Sequence, residues 1–226
     1  MKRILLVLAT MVAAVLLASG VALAAKPPPP VIESGAFINP APITINDATR
    51  DETTLITTVG TATPYPSTIT VPVGIEPEGF PAGSRITDVG VIFSEFSHTF
   101  PDDVDMLLVG PSGESTILMS DAGGGQPGIE NASLTFRQDR RFSKIPDDGP
   151  LEFSSTYRPA NYRPSDTFPS PAPTAGKRAN LSVFEGTDPI GTWELYIVDD
   201  EFGDAGSIPS GWILRIDAEV PPETLP

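Results

Sequence analysis

The sequence predicts an all-β protein built as one β-sandwich domain. Short runs that alternate β-branched and small polar residues are separated by clusters of Pro and Gly, of which the chain has 26 and 20. No apolar stripe of helical spacing follows the first 25 residues, and no internal repeat of fixed period is present. The hydrophobic content of 40% is that of an ordinary folded domain.

The N-terminal residues have the layout of a secretory signal peptide. Lys2 and Arg3 precede an apolar run, and Ala22 and Ala24 supply the small side chains that a signal peptidase requires. We therefore expect a secreted, extracellular protein without membrane association once the signal is removed. The predicted organisation is a signal peptide at 1–24, a Pro-rich linker at 25–37, one β-sandwich domain at 38–219 and a C-terminal tail at 220–226.

Composition limits what the chain can bind. It contains no cysteine, which excludes disulfides and thiolate metal sites. Removal of Lys2 and Arg3 with the signal leaves 12 basic and 29 acidic residues, a net charge of −17. Nucleic acid and anionic membranes are poor partners for so acidic a protein, whereas cations, extracellular proteins and cell-surface components are compatible with it.

The first predicted strands follow from alternation. Segments 42–46 and 67–71 alternate β-branched and small polar residues, which is the period of a half-buried strand. Segment 85–99 carries apolar side chains at positions of both parities, which predicts a long strand bent between two sheets. One face would hold Val89, Val91 and Phe93, and the other Ile86, Ile92 and Phe96.

The middle of the chain predicts a hairpin. Segment 106–109 is apolar on both faces, as in a central strand, and the turn from Gly110 to Gly113 joins it to a strand at 115–119. The Gly-rich segment 121–125 is interpreted as a flexible turn, and segment 132–136 as the next strand.

The last third combines a long loop with three predicted strands. The Pro-rich loop 157–177 is either functional or the decoration of a sheet edge. Trp193 and Trp212 each share a strand face with Leu and Ile, so both rings are expected inside the core. The predicted strands are 181–184, 192–198 and 212–217. The rings of the loop, which could bind a sugar or anchor the loop, are Tyr157, Tyr162 and Phe168.

No catalytic residues are predicted. His98 is the only histidine, so a Ser-His-Asp site would have to use it, and no G-x-S-x-G nucleophile motif is present. A structural histidine at a strand end is the simpler interpretation. Paired carboxylates, as at Asp199 and Asp200, make glycoside hydrolysis formally possible, but such pairs are usually solvated loop charges or cation ligands. We therefore do not expect an enzyme.

Calcium is the cofactor that the acidic loops suggest. Ca²⁺ takes six to eight oxygen ligands, which Gly-rich acidic turns supply as carboxylates and carbonyls. The alternative is that the same side chains form Asx turns and cap loop backbone groups. The order around the second group is not that of an EF-hand. The candidate ligands are Asp102, Asp103 and Asp105 in the first group, and Asp199, Asp200 and Asp204 in the second.

Two ordered motifs resemble the P domain of proprotein convertases, also called the P/Homo B domain. The first is His-Thr, then Asp-x-x-L, then Pro-Ser-Gly over residues 98–113. The second is Gly-Thr-Trp-x-Leu, then Val-x-Asp, then Gly-Trp-x-Leu over residues 191–214. The match covers about residues 38–219. Residue by residue it concerns Asp105 at the start of the central strand, Pro111 and Gly113 in the turn, and Trp193, Leu195 and Asp199 in the closing strand.

The resemblance implies a jelly-roll sandwich, similar to galactose-binding domains, of the kind that follows a subtilisin-type catalytic domain and stabilises it. This chain carries none of the subtilisin Asp, His and Ser motifs. The resemblance thus implies a noncatalytic module, associated with serine endopeptidases, that acts in protein binding or stabilisation. The alternatives are a carbohydrate-binding module, or a partner that acts in trans on a separately encoded secreted protease.

Overall fold

The computed structural model describes residues 29–75, 77–163, 167–174 and 178–222. Within them the chain is nearly all β, with fourteen strands and two short 3₁₀ helices at Pro101–Asp103 and Leu181–Phe184. The strands are β1 (Val31–Asn39), β2 (Ile43–Ile45), β3 (Thr49–Arg50), β4 (Thr57–Thr58), β5 (Gly60–Thr61), β6 (Ser67–Val71), β7 (Arg85–His98), β8 (Val104–Val109), β9 (Ser115–Met119), β10 (Ile129–Arg137), β11 (Ser154–Tyr157), β12 (Gly191–Asp199), β13 (Gly206–Ile208) and β14 (Trp212–Val220).

Two sheets enclose the main core. The seven-stranded sheet has the order β1-β14-β7-β10-β11, and β13 joins it beside β7 and β2. In the five-stranded sheet, β5 and β6 both pair with β12, which is followed by β8 and β9. Trp193 and Trp212 are 0% exposed between the sheets. The predicted β-sandwich and the inward tryptophans are confirmed, while the jelly-roll connectivity stays a prediction.

Strand β7 does not bend between two sheets, so that interpretation is wrong. Thr87 is an extra residue opposite β14, because Asp88 pairs with Asp217 and Ile86 with Ala218. A second register shift lies near Glu95, which has a φ of 60°. After each β-bulge, the odd-numbered and even-numbered residues of the strand exchange faces. One face therefore buries the side chains of Ile86, Val89, Val91, Phe93, Phe96 and His98.

The strand predicted at 181–184 is also wrong. Leu181–Phe184 is a 3₁₀ helix, and the side chain of Asn180 caps it by accepting a hydrogen bond from the Ser182 amide at 3.0 Å. Residues three apart lie on the same side of such a helix, so Leu181 and Phe184 are both buried. Alternation would have placed them on opposite faces.

The ends of the domain lie outside the predicted boundaries. Strand β1 starts at Val31, inside the segment taken as a linker, and β14 continues to Val220. Only Gly35 and Phe37 are buried along β1, so its alternation is weak. Its extended form comes from nine pairs with β14, Val31 with Val220 through Asn39 with Trp212. The predicted signal peptide lies outside the described residues.

The segment 121–125 is packed and is not a flexible turn. Ala122 is buried, and the amides of Gly123 and Gly124 donate to backbone carbonyls of Pro146 and Asp147 at 2.8 to 3.1 Å. These bonds tie the turn to the loop after β10. At Gly124 a Cβ would collide with the Asp148 carbonyl, so this glycine allows the two backbones to approach closely.

The Pro-rich loop covers the outer face of the five-stranded sheet. Tyr65 donates a hydrogen bond from its hydroxyl to the Pro169 carbonyl at 3.0 Å, and its ring contacts Tyr196 edge-on at 5.0 Å between centroids. This second apolar cluster explains why β8 is buried on both faces. Its members are Leu107, Val109, Ile117 and Tyr196 in the sheet, packed against Tyr65, Phe168, Ala172 and Ala179. Among the described residues no helix is long and apolar enough to cross a membrane.

Candidate functional site

The two sheets meet at one end through a buried His–Asp pair. His98 ends β7 in the seven-stranded sheet, and Asp199 ends β12 in the five-stranded sheet. Nε2 of His98 lies 3.1 Å from Oδ2 of Asp199, and both side chains are 0% exposed. The carboxylate can only accept, so Nε2–H is the donor. Nδ1 faces the backbone of Phe100, at 3.2 Å from its amide and 2.9 Å from its carbonyl.

A glycine makes room for this pair. Gly206 of β13 lies opposite His98 in the sheet, and a Cβ at this position would collide with the imidazole ring and with the Ser97 carbonyl. The residue therefore has to be glycine for β13 to lie beside β7. Sequence reasoning missed Gly206. The sequence signal that could have identified Gly206 is its position at the end of the acidic loop that follows Asp199.

His98 is placed as a structural residue. Its ring nitrogens both have partners, and its side chain has no contact with solvent. A general base must come within hydrogen-bond distance of the proton that it removes. In this structure the His98 ring is not accessible to an external substrate. That it has no catalytic role stays a prediction.

Four of the six predicted calcium ligands gather near His98. Asp103 is buried, and its carbonyl accepts a hydrogen bond from the Asp200 amide at 3.0 Å. Burial, together with the negative charges of Asp199, Asp200 and Asp204, raises the pKa of Asp103 to about 7. Burial also raises the pKa of Asp199, against the opposing effect of His98. The surroundings of Asp103 and Asp199 thus disfavour the negatively charged form of both carboxyls.

Asp105 does not join this group, because strand alternation separates it. On β8 the inward side chains are Val104, Met106 and Leu108, so Asp105 points to the outer face. Asp199 lies on the same face of β12 as the inward-pointing residues of that strand, and its carboxylate contacts His98. The two carboxylates that the resemblance singles out therefore lie on opposite faces of one sheet.

Asp102 belongs to a different acidic group. Its carboxylate lies 3.7 Å from Nη1 of Arg163, which also donates to Asp121 at 3.0 Å. Burial is the largest influence on the Asp102 carboxyl and raises its pKa, and the nearby charges of Asp147 and Asp148 act in the same direction. Arg163 comes from the Pro-rich loop, so this contact holds the loop to the sandwich.

Within the described residues, no three or more His, Asp or Glu side chains form a group able to hold a metal ion. Calcium binding therefore stays a prediction. We expect millimolar calcium to raise the melting temperature of the mature protein, since a ligand that binds only the native state stabilises it, by about 2.7 kcal/mol at about 100 Kd. Asp200→Asn and Asp204→Asn should reduce this shift. Identical melting curves in calcium and in chelator would contradict the prediction.

The elevated pKa of Asp103 predicts a pH-dependent stability. The folded state holds the carboxyl proton more tightly than the unfolded chain, whose pKa is near 3.8. The resulting stabilisation is complete below about pH 4 and is lost as the pH rises to about 7. In chelator, Asp103→Asn should be more stable than the wild type at pH 8, by roughly 2 kcal/mol.

Urea unfolding across this pH range measures the difference between the two proteins. Glu52→Gln, in an exposed loop, is the matched control and should follow the wild type. An Asp103→Asn protein that is less stable than the wild type at pH 8 would show that the carboxylate is engaged by a favourable partner.

The rings of the Pro-rich loop pack against the sandwich. Tyr157 is buried, and its hydroxyl accepts from the Glu152 amide at 3.0 Å. Tyr162 donates from its hydroxyl to the Ile145 carbonyl at 2.7 Å and packs against the main core. Phe168 packs on the outer face of the five-stranded sheet. These rings anchor the loop, which was one of the two interpretations left open by the sequence.

The fold and this site define a β-sandwich in which both tryptophans of the sequence motifs are buried, as are Asp105 and Asp199. Comparison with known proteins adds no family to that description. No protein-family model matches the chain, and no curated protein matches it significantly. Function must therefore be argued from the molecule itself.

Proposed function

We propose that this chain is a secreted, noncatalytic β-sandwich module of the P/Homo B type that binds another extracellular protein. The observation that carries the proposal is the burial of the motif residues. Trp193, Leu195 and Asp199 are buried, as is Asp105, and the lone histidine is enclosed with Asp199. A motif built into the core specifies a scaffold. Binding is then left to the sheet edges and loops.

The resemblance suggests a secreted subtilisin-like protease as one partner that the module stabilises in trans. Addition of the mature protein should then lengthen the activity half-life of such a protease at elevated temperature. Glu52→Gln, a change in an exposed loop, is a suitable control and should lengthen the half-life as the wild type does. An unchanged half-life across the secreted proteases of the native cells would contradict this choice of partner.

The noncatalytic part has its own test. Purified mature protein is incubated with broad sets of peptide, ester and glycan substrates, and we expect no turnover above buffer. His98→Ala is assayed beside it. Reproducible turnover by the wild-type protein would overturn the proposal. The variant is compared only under conditions in which circular dichroism shows it folded, because loss of the buried pair also destabilises the domain.

Carbohydrate binding is the second candidate, supported by a cleft beside the outer face of the seven-stranded sheet. Gln138 is oriented there by the Leu181 amide, which donates to its Oε1 at 3.0 Å, and Arg137 is paired with Asp88. The ring of Phe142 lines the same cleft. Planar polar groups beside a ring suit sugar hydroxyls and C–H faces. A glycan array should show binding that Phe142→Ala removes, and silence of the wild-type protein would eliminate this candidate.

A further inference from the structure

Two strand edges lie side by side without a strand partner. Within the described residues, β1 pairs only with β14, and β6 pairs only with β12. The side chain of Asn39 joins the two edges at one end, since its Nδ2 donates to the Thr68 carbonyl at 2.9 Å and to Ser67 Oγ at 3.2 Å. Between the edges runs an open groove. Its lining includes Ala36, Ile38, Thr68, Thr70, Pro72 and Glu78.

A loop covers the free edge of β9, whereas the free edges of β1 and β6 have no such cover within the described residues. On β9, the amide of Ile117 donates to the Arg178 carbonyl at 3.0 Å, and the Leu118 carbonyl accepts from the Ala160 amide at 3.3 Å. The Pro-rich loop therefore covers the edge of β9. Unprotected strand edges readily pair with other chains, and proteins normally cover or charge them. In the part of the chain that the structure describes, no backbone hydrogen bond of this kind covers the free edges of β1 and β6.

Exposed apolar side chains lie in and next to this groove. Ile38 lines it and is 60% exposed. In the loop after β6, whose Pro72 and Glu78 line the groove, the neighbouring residues Val73 and Ile75 are 66% and 74% exposed. A patch of large apolar side chains on a secreted protein marks an interaction surface.

The charges of the groove and of the whole protein indicate what kind of peptide segment can bind there. Among the described residues that line the groove, Glu78 is the only ionisable one, and the whole chain has a net charge of −15. An acidic segment or a second copy of this protein would be repelled, whereas Lys or Arg beside Glu78 would be attracted. The best occupant is an extended segment of another protein with alternating apolar residues and a basic residue.

We infer that the groove between β1 and β6 binds such a segment by strand addition. The segment hydrogen-bonds through its backbone to a free strand edge, its alternate side chains contact Ile38, Val73 and Ile75, and its basic residue lies near Glu78. This inference rests on the proposed function and names the surface and chemistry of the partner.

Synthetic peptides test the inference directly. The set consists of fluorescently labelled peptides that alternate Val, Ile or Leu with Thr and carry one Lys or Arg near either end. At least one should bind the mature protein in anisotropy titrations. Ile38→Asp and Ile75→Asp should each weaken it by about tenfold or more, as expected at the centre of an interface. Leu55→Asp and Ile56→Asp, equally exposed elsewhere, should leave binding unchanged.

Two further probes separate strand addition from simple apolar contact. N-methylation of alternate peptide amides should abolish binding, and the bound peptide should slow hydrogen exchange in β1 or β6. Replacement of the basic residue by Glu should weaken binding. The inference is overturned if no peptide binds, if the N-methylated form binds equally well, or if Ile38→Asp has no effect. It is also overturned if the protein forms a dimer that Ile38→Asp dissolves.

Photo-cross-linking distinguishes this inference from the proposed function. Mature protein carrying Ile38→benzoylphenylalanine or Ile56→benzoylphenylalanine is irradiated in native culture medium. A protein that is cross-linked from residue 38, and whose cross-linking the best peptide prevents, supports both the groove inference and the proposed function. Cross-links from residue 56 alone overturn the groove but not the proposed function. Absence of a protein cross-link from both positions, with no other protein complex detected, contradicts the proposed function.

Discussion

Replacing His98 with alanine is expected to cost about 3 to 5 kcal/mol of unfolding free energy. Among the described residues, only the long hydrogen bond from the Glu201 amide, at 3.3 Å, would then stabilise the buried carboxylate of Asp199. The imidazole also accepts or donates at the backbone of Phe100, a contact that the variant loses. Urea unfolding at neutral pH measures the change. A loss below about 1 kcal/mol would show that the pair does not hold the sheet ends together.

The paired variant gives the matched control. His98→Ala combined with Asp199→Ala removes both polar partners, so the uncompensated charge disappears with them. We expect the double variant to be markedly more stable than the sum of the two single changes predicts. Additive losses would mean that cavity formation, and not the buried charge, accounts for the effect.

Replacing Trp193 with alanine is expected to cost about 3 to 5 kcal/mol, as for other large buried rings. Its indole is 0% exposed and donates to the Pro189 carbonyl at 3.1 Å. The ring contacts Phe184 edge-on at 4.9 Å between centroids, and Gly110 of the hairpin turn packs against both rings. One side chain thus joins the closing strand, a 3₁₀ helix and the turn.

Trp193→Phe is the control for this prediction. It keeps an aromatic ring against Phe184 and loses only the donor to Pro189 and part of the volume, so we expect less than half of the alanine effect. Denaturant midpoints of the three proteins give the comparison. Equal destabilisation by Phe and Ala would show that the hydrogen bond, and not packing, carries the energy.

The same features explain why the molecule is proposed as a binding module. Trp193 and Trp212 are buried, as are Asp105 and Asp199, and His98 is enclosed with Asp199. The open groove between β1 and β6 presents free strand edges and the exposed side chain of Ile38. Groups of this kind suit the recognition of an extended chain, which is the basis of the proposal.

The sequence by itself determined the class of fold, the hairpin from β8 to β9 and the burial of both tryptophans. These features depend on residues close together in the chain. Alternation within a strand sets which side chains share a face, and the turn from Gly110 to Gly113 sets the pairing of its neighbours. Local patterns of this kind keep their meaning when the chain folds.

Only the tertiary structure decided where alternation is interrupted and which distant groups meet. The bulges at Thr87 and near Glu95 exist because partner strands impose their register, and β1 is a strand because β14 lies beside it. Alternation along β12 and β8 then places Asp199 on the inward face, beside His98, and Asp105 on the outer face of the same sheet. Register between distant strands is a property of the packed sheets, so the candidate ligands could be named from the sequence but not grouped.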